Sequence, residues 1–307
     1  MVDAGVPAGR WVVVGVPIDS VGAPAGGPPF GTEESPAALR RRDLVRRVRA
    51  ADRGDLDVRV TGPDRDRSSG IVGYPSVRET TRRVRAAVAE VVTGGGRPLL
   101  LGGCCALLMG AVAGLRDSVG RVGVVNVDGH VDAYDGSTSP TGEAADMPVG
   151  ALLGQATDGL LAAMGSVPVV RSGDAIVLGA RDRDEATDLG DLPTRLGITV
   201  RTGDEVLANP GAAGLSTAEH FRGAGIGYWL HLDVDVLGED VFPATDYLMP
   251  GGLRMTDLAA LLAPLGADEN LMGVSVGCYN PSKDPDGRCG DDLVDVLVGA
   301  LAPGTSR

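Results

Sequence analysis

The sequence predicts an α/β fold in which a mainly parallel sheet is covered by helices on both faces. Short apolar runs of strand length alternate along the chain with amphipathic or Ala/Leu-rich runs of helix length. The apolar runs are nearly continuous, which is typical of strands that are buried on both faces of a parallel sheet. No segment rich in Pro, Gly or Ser divides the chain, so we expect a single domain over residues 1–307.

These runs predict the individual elements in chain order. Strands are expected at residues 10–17, 57–62, 98–101, 121–128, 175–181, 197–201, 227–237 and 271–277. Helices are expected at residues 35–48, 76–92, 106–115, 255–265 and 291–301. The second of these helices has Ser76 at its N-cap and apolar residues at three- and four-residue steps. Because ligands of parallel sheets bind at the carboxyl ends of the strands, we expect the functional side chains there.

Charge and cysteine content argue against several classes of protein. The net charge of −13 argues against a nucleic-acid or anionic-membrane partner, because both attract basic patches. Four cysteines do not make a disulfide framework, and no signal-peptide pattern opens the chain, so we expect a cytoplasmic protein. The uncharged run Pro98–Leu115 is barely long enough to span a bilayer and contains a glycine pair, so we expect no membrane helix.

The segment "VVNVDGHVDAYD" predicts a metal site. Asp128, His130 and Asp132 alternate directly after an apolar strand, and their side chains point the same way if the chain stays extended. Carboxylates that converge in this way repel each other unless a cation neutralises them. The alternative is a solvated polar loop.

The segment "YWLHLDVDVL" carries a second polar cluster. His231, Asp233 and Asp235 share one face of an otherwise apolar strand, where unpaired carboxylates are costly. The alternative is that the aspartates cap neighbouring helices. Together the two clusters offer enough ligands for one or two divalent ions. Oxygen ligands favour Mn²⁺, whereas a thiolate would favour Zn²⁺ or Fe²⁺.

Several short motifs follow one another in a distinctive order. They are Gly102–Gly103, Asp128–Asp132, Asp233–Asp235, Pro243–Leu253 and Asn280–Arg288. This order resembles that of the arginase/agmatinase (ureohydrolase) family over essentially the whole chain. The resemblance implies a three-layer α/β/α fold, a binuclear Mn²⁺ centre, and activated water that hydrolyses a guanidino C–N bond of a small molecule. It also implies a homo-oligomer, either a trimer or a hexamer.

The family's metal-binding histidine after the glycine pair is replaced here. Cys105 stands at that position, and Cys104 replaces the preceding aspartate. The resemblance implies one metal held by Asp128, His130, Asp233 and Asp235, and a second held by Asp128, Asp132, Asp233 and the Cys105 thiolate. The alternative is that Cys105 is an inert thiol and that the second metal position is weak or empty.

The substrate side departs from the family as well. Ala145 stands where the family has a proton-shuttle histidine, Cys278 where a glutamate grips the guanidinium, and Tyr247 where a small threonine lies near the nucleophile. Loss of the glutamate removes the carboxylate that pairs with a planar cation, so hydrolysis of arginine or agmatine is not expected. The resemblance implies substrate contacts at Tyr134, Thr141, Asp184 and Tyr247.

Other side chains are candidates for the missing chemistry. His231 could act as an acid/base or a substitute metal ligand, or be an ordinary strand histidine. Cys278 could be a nucleophile or a plain buried cysteine. The candidate catalytic residues are therefore His231, Cys278 and Asp132. Glu143 and Asp146 lie in the loop that lacks the shuttle histidine, with a solvated loop as the alternative.

Two functions follow from this pattern. The first is a divergent, metal-dependent hydrolase that acts on a C–N bond of a small substrate other than arginine or agmatine. The second is a non-hydrolytic protein of the same fold, either a scaffold or an enzyme of altered chemistry in a specialised biosynthetic pathway. A nucleotide-binding Rossmann domain is disfavoured, because no G-x-G-x-x-G follows the first strand in register.

Overall fold

The computed structural model describes residues 9–21, 31–182 and 192–302. One eight-stranded sheet runs through it, and every neighbouring pair of its strands is parallel. The strands are β1 (Trp11–Val16), β2 (Ala51–Asp55), β3 (Arg97–Gly102), β4 (Val122–Val127), β5 (Ala175–Ala180), β6 (Thr199–Thr202), β7 (Gly227–Asp233) and β8 (Leu271–Gly277). Their spatial order is β2-β1-β3-β8-β7-β4-β5-β6. The predicted fold class is confirmed.

Helices cover both faces of this sheet. They are α1 (Ser35–Arg41), α2 (Leu44–Arg47), α3 (Tyr74–Thr93), α4 (Leu107–Val119), α5 (Pro148–Leu152), α6 (Asp158–Met164), α7 (Leu192–Leu196), α8 (Gly203–Ala208), α9 (Pro210–Ala224), α10 (Met255–Gly266) and α11 (Arg288–Leu301). Alternate strand residues belong to two cores: Leu101 shares one with residues of α1, α2 and α8 to α11, and Leu100 shares the other with residues of α3 to α6. The result is three layers.

Several element predictions were wrong in detail. The strand expected at residues 57–62 does not form, and the edge strand is β2 instead. The helix expected at residues 35–48 is broken at Asp43, which has a φ of 65°. Helix α3 begins at Tyr74 with Gly73 as its N-cap, two residues before the predicted start. Helices α5 to α9 were not predicted.

The glycine pair between β3 and α4 is required by close backbone contact. A Cβ at Gly103 would lie 1.6 Å from the carbonyl oxygen of Ile18, in the loop after β1. The same glycine accepts a hydrogen bond from the Cys278 backbone N–H at 2.6 Å. These contacts place Cys104 and Cys105 at the carboxyl end of the sheet. The Pro98–Leu115 run is divided between β3 and α4, and no described helix is both long and apolar enough to cross a membrane.

Candidate metal centre and substrate pocket

The predicted metal ligands meet at the carboxyl ends of three central strands. Cys105 follows β3, Asp128 follows β4, and Asp233 ends β7. Both aspartate-bearing strands are shorter than predicted: β4 ends at Val127, and β7 passes into a 3-10 turn over Val234–Val236. The alternating spacing had suggested that the side chains converge along an extended strand. They converge instead because the backbone bends after β4 and after β7.

One group of donors consists of Asp128, His130 and Asp235. The His130 Nδ1 atom lies 3.0 Å from Asp235 Oδ2 and 3.6 Å from Asp128 Oδ1. Burial acts to lower the pKa of His130, but the two carboxylates raise it above its ordinary value. Burial, reinforced by Asp235, raises the pKa of Asp128 to about 6. Three ligand atoms of this group lie within 4.8 Å of one another.

A second group consists of Cys105, His231 and Asp233, all buried. The Cys105 thiol donates to Asp233 Oδ2 at 2.6 Å, and His231 Nε2 lies 3.1 Å from Cys105 Sγ. Burial lowers the pKa of His231 to about 3, so its imidazole is neutral at pH 7. Burial, the Cys278 contact and the charge of Asp233 raise the pKa of the Cys105 thiol. Unless a cation lies beside it, this thiol is therefore protonated at pH 7.

Asp132 is a buried carboxylate with an unsatisfied oxygen. It is 6% exposed, its φ is 54°, and its Oδ2 atom makes no hydrogen bond. Burial and the nearby charge of Asp128 raise the pKa of this carboxyl well above its usual range. Ligand atoms of Asp132, Cys105 and Asp128 lie within 4.8 Å of one another. An orphaned carboxylate oxygen among sulfur and oxygen donors fits a divalent cation.

A cavity of ≈170 Å³ opens onto this cluster. Among the predicted site residues it is lined by Cys105, His130, Asp132, Tyr134, Thr141, Asp233, Asp235, Tyr247 and Cys278. Asp128 and His231 lie behind the lining. Asp184, the remaining predicted substrate contact, lies outside the described residues.

The wall of the cavity is acidic. Glu143 accepts hydrogen bonds from the Tyr247 hydroxyl at 2.7 Å and from Ser20 at 2.9 Å. Asp146 accepts from Ser139 at 2.6 Å and from Thr141 at 3.2 Å, so neither carboxylate belongs to a freely solvated loop. Burial raises the pKa of Asp146 to about 6. Among the described lining residues, His130 is the one side chain that could carry a positive charge.

Asp182 was not predicted, although it lines the same cavity. It lies two residues after β5, accepts a hydrogen bond from the Val131 N–H at 3.1 Å, and leaves its Oδ1 atom buried without a partner. Burial raises the pKa of this carboxyl. Asp128 was predicted because it lies just beyond an apolar strand. Asp182 also lies just beyond an apolar strand, so the same rule could have identified it.

Comparison with known proteins decides the family. The family model described as "Arginase family" matches residues 10–302. The chain belongs to the arginase family. It is 32% identical to an arginase from Brevibacillus brevis over 279 residues, which cover 89% of this chain and 91% of that protein.

Solved arginase-family structures share the fold. The structure of arginase from Bacillus caldovelox has a TM-score of 0.86 at 24% identity, covering 97% of this chain and 99% of that one. The formimidoylglutamase structure from Bacillus subtilis has a TM-score of 0.75 at 17% identity, covering 97% and 89%. The resemblance to the ureohydrolases is therefore confirmed, and so is an enzyme of the arginase type. Likeness at such identities shows the fold and leaves the substrate open.

Within this arginase-family fold, the altered positions face the cavity. Cys278 and Ala145 both line it, and Cys278 has a φ of 64°. The Cys278 Sγ atom lies 3.5 Å from Cys105 Sγ. The hydrogen bond with Cys105 acts to lower the pKa of Cys278, but burial and nearby carboxylates raise it well above its ordinary value. A thiol of this kind is a poor nucleophile unless a cation is close.

Proposed function

We propose that this chain is a metal-dependent hydrolase that cleaves a C–N bond of a small cationic substrate other than arginine or agmatine. The single observation that carries the proposal is the buried oxygen of Asp132, a residue that lines the cavity, which has no hydrogen-bond partner. A buried, unpaired carboxylate costs several kcal/mol unless a cation compensates it. Membership of the arginase family supports the hydrolase class.

The described donors fit two divalent ions. Asp128, His130 and Asp235 would hold one of them, and Cys105, Asp128 and Asp132 would contribute to the other. Bound there, the ions would supply activated water and polarisation of the substrate. Oxygen and imidazole donors suit Mn²⁺, and a thiolate shifts the preference towards Zn²⁺ or Fe²⁺.

The protein's own side chains would provide proton transfer and substrate binding. Asp132 would ligate the ion through one carboxylate oxygen, and its other oxygen would take a proton from the attacking water and pass it to the leaving amine. Glu143, Asp146 and Asp182 line the cavity with carboxyl groups that would attract an amine or amidine. Cys278 gives a planar guanidinium no charged partner, which is why we propose a substrate other than arginine. His231, behind the lining, would not touch substrate.

A non-hydrolytic role is the second candidate, and one observation favours it. Ala145 supplies no titratable group to the cavity, and His130, the one imidazole among the described lining residues, is engaged with Asp235. A protein without a free imidazole to protonate the leaving amine could bind a ligand without cleaving it. In that case it would be a scaffold or serve altered chemistry in a specialised pathway.

The test is metal loading followed by an activity screen. The full chain is reconstituted with Mn²⁺, Zn²⁺ or Fe²⁺, its metal content is measured, and release of ammonia or urea is followed with a panel of amidines and guanidines. We expect bound metal and turnover of a cationic member other than arginine or agmatine. Asp128→Asn should lose both, whereas Asp57→Asn, at a fully exposed carboxylate, should retain both. Bound metal without turnover of any member would favour the non-hydrolytic candidate.

We also propose a homo-oligomer, a trimer or hexamer, in the cytoplasm. The support is the family resemblance alone. Light scattering of the full chain tests the assembly: a monomer at micromolar concentration would contradict it.

A further inference from the structure

We infer that His231 supplies the imidazole that this chain lacks after its glycine pair, so that Cys105, His231 and Asp233 form a mixed sulfur, nitrogen and oxygen metal site. This inference rests on the proposed function and deepens it, because it assigns a ligand set and a metal preference to one of the two metal positions. The sequence left His231 open as a ligand, an acid/base or an ordinary strand residue.

The geometry brings three different donor atoms together. Cys105 Sγ lies 2.6 Å from Asp233 Oδ2 and 3.1 Å from His231 Nε2. One atom from each residue lies within 4.8 Å of the other two, and all three residues are buried. Cys105 and Asp233 also line the cavity, so an ion held here would remain open to a ligand from that side. Ligand atoms of Asp128 and Asp132 also lie within 4.8 Å of Cys105, so these carboxylates can share the ion with the three donors.

The other side of the His231 ring is held in place for ligation. Nδ1 lies 2.7 Å from Ser275 Oγ, which also accepts a hydrogen bond from Trp229 Nε1 at 2.8 Å. If Nδ1–H donates to Ser275, the lone pair of Nε2 points at Cys105. Metal-binding histidines are commonly oriented by such a contact at their second nitrogen.

Gly277 leaves room for this arrangement. A Cβ at that position would lie 3.2 Å from His231 Cε1 and 3.4 Å from Cys105 Sγ, tighter than most contacts of this kind. The residue after it, Cys278, has its own thiol 3.5 Å from Cys105. The ring of His231 is thus enclosed between β7 and β8 with its Nε2 directed to the end of β3.

The two metal positions then differ in chemistry. Asp128, His130 and Asp235 offer oxygen and nitrogen atoms, which suit Mn²⁺. The position with Cys105 and His231 offers a soft thiolate and an imidazole, which select Zn²⁺, Co²⁺ or Fe²⁺. We therefore expect a mixed pair of metals, with the thiophilic ion at the Cys105 position.

Cobalt reports directly on the thiolate. The full chain, freed of metal, is titrated with Co²⁺ while absorption and bound cobalt are both measured. We expect a near-ultraviolet thiolate-to-cobalt charge-transfer band that saturates with one equivalent, and its displacement by Zn²⁺ but not by Mn²⁺. Cys105→Ser should abolish the band. Cys104→Ala, at the neighbouring buried thiol, and Cys278→Ala should retain it.

The histidine is tested by its replacement with serine, which removes the imidazole. His231→Ser should weaken binding of Co²⁺ and Zn²⁺ at the Cys105 position by about 10–100-fold or more, with Mn²⁺ binding at the other position unchanged. The double variant Cys105→His/His231→Ser returns the imidazole to the end of β3. It should bind metal without the charge-transfer band and with a stronger preference for Mn²⁺. Far-ultraviolet circular dichroism of each variant confirms that it is folded.

The outcomes separate this inference from the proposed function. Two bound cobalt ions without a charge-transfer band, a band that survives in Cys105→Ser, or unchanged affinity in folded His231→Ser would overturn the inference and leave a metal-dependent hydrolase intact. A chain that binds no Co²⁺, Zn²⁺ or Mn²⁺ would overturn both.

Discussion

His130 Nδ1 lies 3.0 Å from Asp235 Oδ2, so the loop after β4 and the turn after β7 meet in an ion-pair contact. Burial acts to raise the pKa of Asp235, but the charge of His130 lowers it below its usual value. Asp132, across the same cluster, has no such partner for its Oδ2 atom. The two aspartates should therefore respond differently to a cation. Asp235 would exchange His130 for the cation, whereas the Oδ2 atom of Asp132 would gain a partner that it lacks.

Asp132→Asn should separate metal binding from folding. Without metal, we expect the variant to be at least as stable as the wild type, because a buried acidic group without a partner is removed. With metal at 100 times the Kd of each position, the wild type should gain about 2.7 kcal/mol per bound ion in the free energy of unfolding. The variant should keep the gain from the ion beside His130 and Asp235 but obtain less than about 1 kcal/mol from the position beside Cys105. Denaturant unfolding with and without Zn²⁺ or Mn²⁺ measures both quantities.

The matched control for this prediction is Asp57→Asn, which removes a fully exposed carboxylate. It should gain as much from metal as the wild type does. A metal-dependent gain in Asp132→Asn equal to that of the wild type would show that Asp132 is no ligand.

Asp146 should give the protein a pH-dependent stability of known sign. Its pKa is raised from an ordinary value of 3.8 to about 6 by burial. The folded state therefore holds the proton more tightly than the unfolded state. The resulting stabilisation is present below pH 3.8 and is lost as the pH rises through about 6. We therefore compare the free energy of unfolding of Asp146→Asn with that of the wild type at each pH. The difference, variant minus wild type, should be about 1–3 kcal/mol larger at pH 7 than at pH 4.

Urea unfolding of both proteins across this pH range gives the difference, in which the titration of all other groups cancels. A difference that does not change with pH would mean that Asp146 ionises normally in the folded protein. A change of the opposite sign would mean that hydrogen bonds from Ser139 and Thr141 outweigh burial.

Gly103 should be intolerant of any side chain. The Cβ of Gly103→Ala would lie 1.6 Å from the Ile18 carbonyl oxygen, so the loops after β1 and β3 would have to separate. We expect a loss of about 1–3 kcal/mol in the free energy of unfolding and weaker metal binding, because Cys105 is displaced. Gly223→Ala is the control, since a Cβ there meets nothing within 4 Å in helix α9. That variant should be neutral or stabilised by about 0.5–1 kcal/mol.

Restoring two of the altered cavity positions should move the specificity towards guanidines. Cys278→Glu returns a carboxylate that pairs with a planar cation, and Ala145→His returns an imidazole to the wall of the cavity. The double variant should release urea from arginine or agmatine at a measurable rate where the wild type does not. Calorimetric titration with a guanidinium ligand provides a readout of binding without turnover. A folded, metal-loaded double variant that neither binds nor cleaves guanidines would place the specificity elsewhere in the pocket.

The sequence predicted best where burial dictates residue type. The central strands β3, β4, β7 and β8 are mostly apolar and were placed to within a few residues. The edge strand β2, Ala51–Asp55, was missed because four of its five residues are exposed and leave no apolar pattern. Helix α9 is rich in Ala and Gly, and Gly214 packs so closely on α10 that its Cβ would lie 2.2 Å from the Leu261 carbonyl oxygen. Because this helix packs through small residues, large apolar residues do not recur at helical spacing along it.

The candidate site was predictable as a set of residues but not as a set of contacts. Strand ends identified Asp128, Asp132, Asp233 and Asp235, because parallel strands finish at one edge of the sheet. The contact of His231 with Cys105 joins positions 126 residues apart, and only the order β3-β8-β7 brings them together. Glu143 likewise reaches Tyr247 across 104 residues. Spacing along the chain carries no information about such pairs.

The presence of metal can be measured by elemental analysis of the purified full chain after reconstitution, combined with anomalous diffraction from its crystals. We expect two divalent ions, one beside Cys105 and Asp132 and one beside His130 and Asp235. Crystals grown with ample divalent metal that contain no ion there, with these carboxylates protonated or paired only with His130, would contradict it.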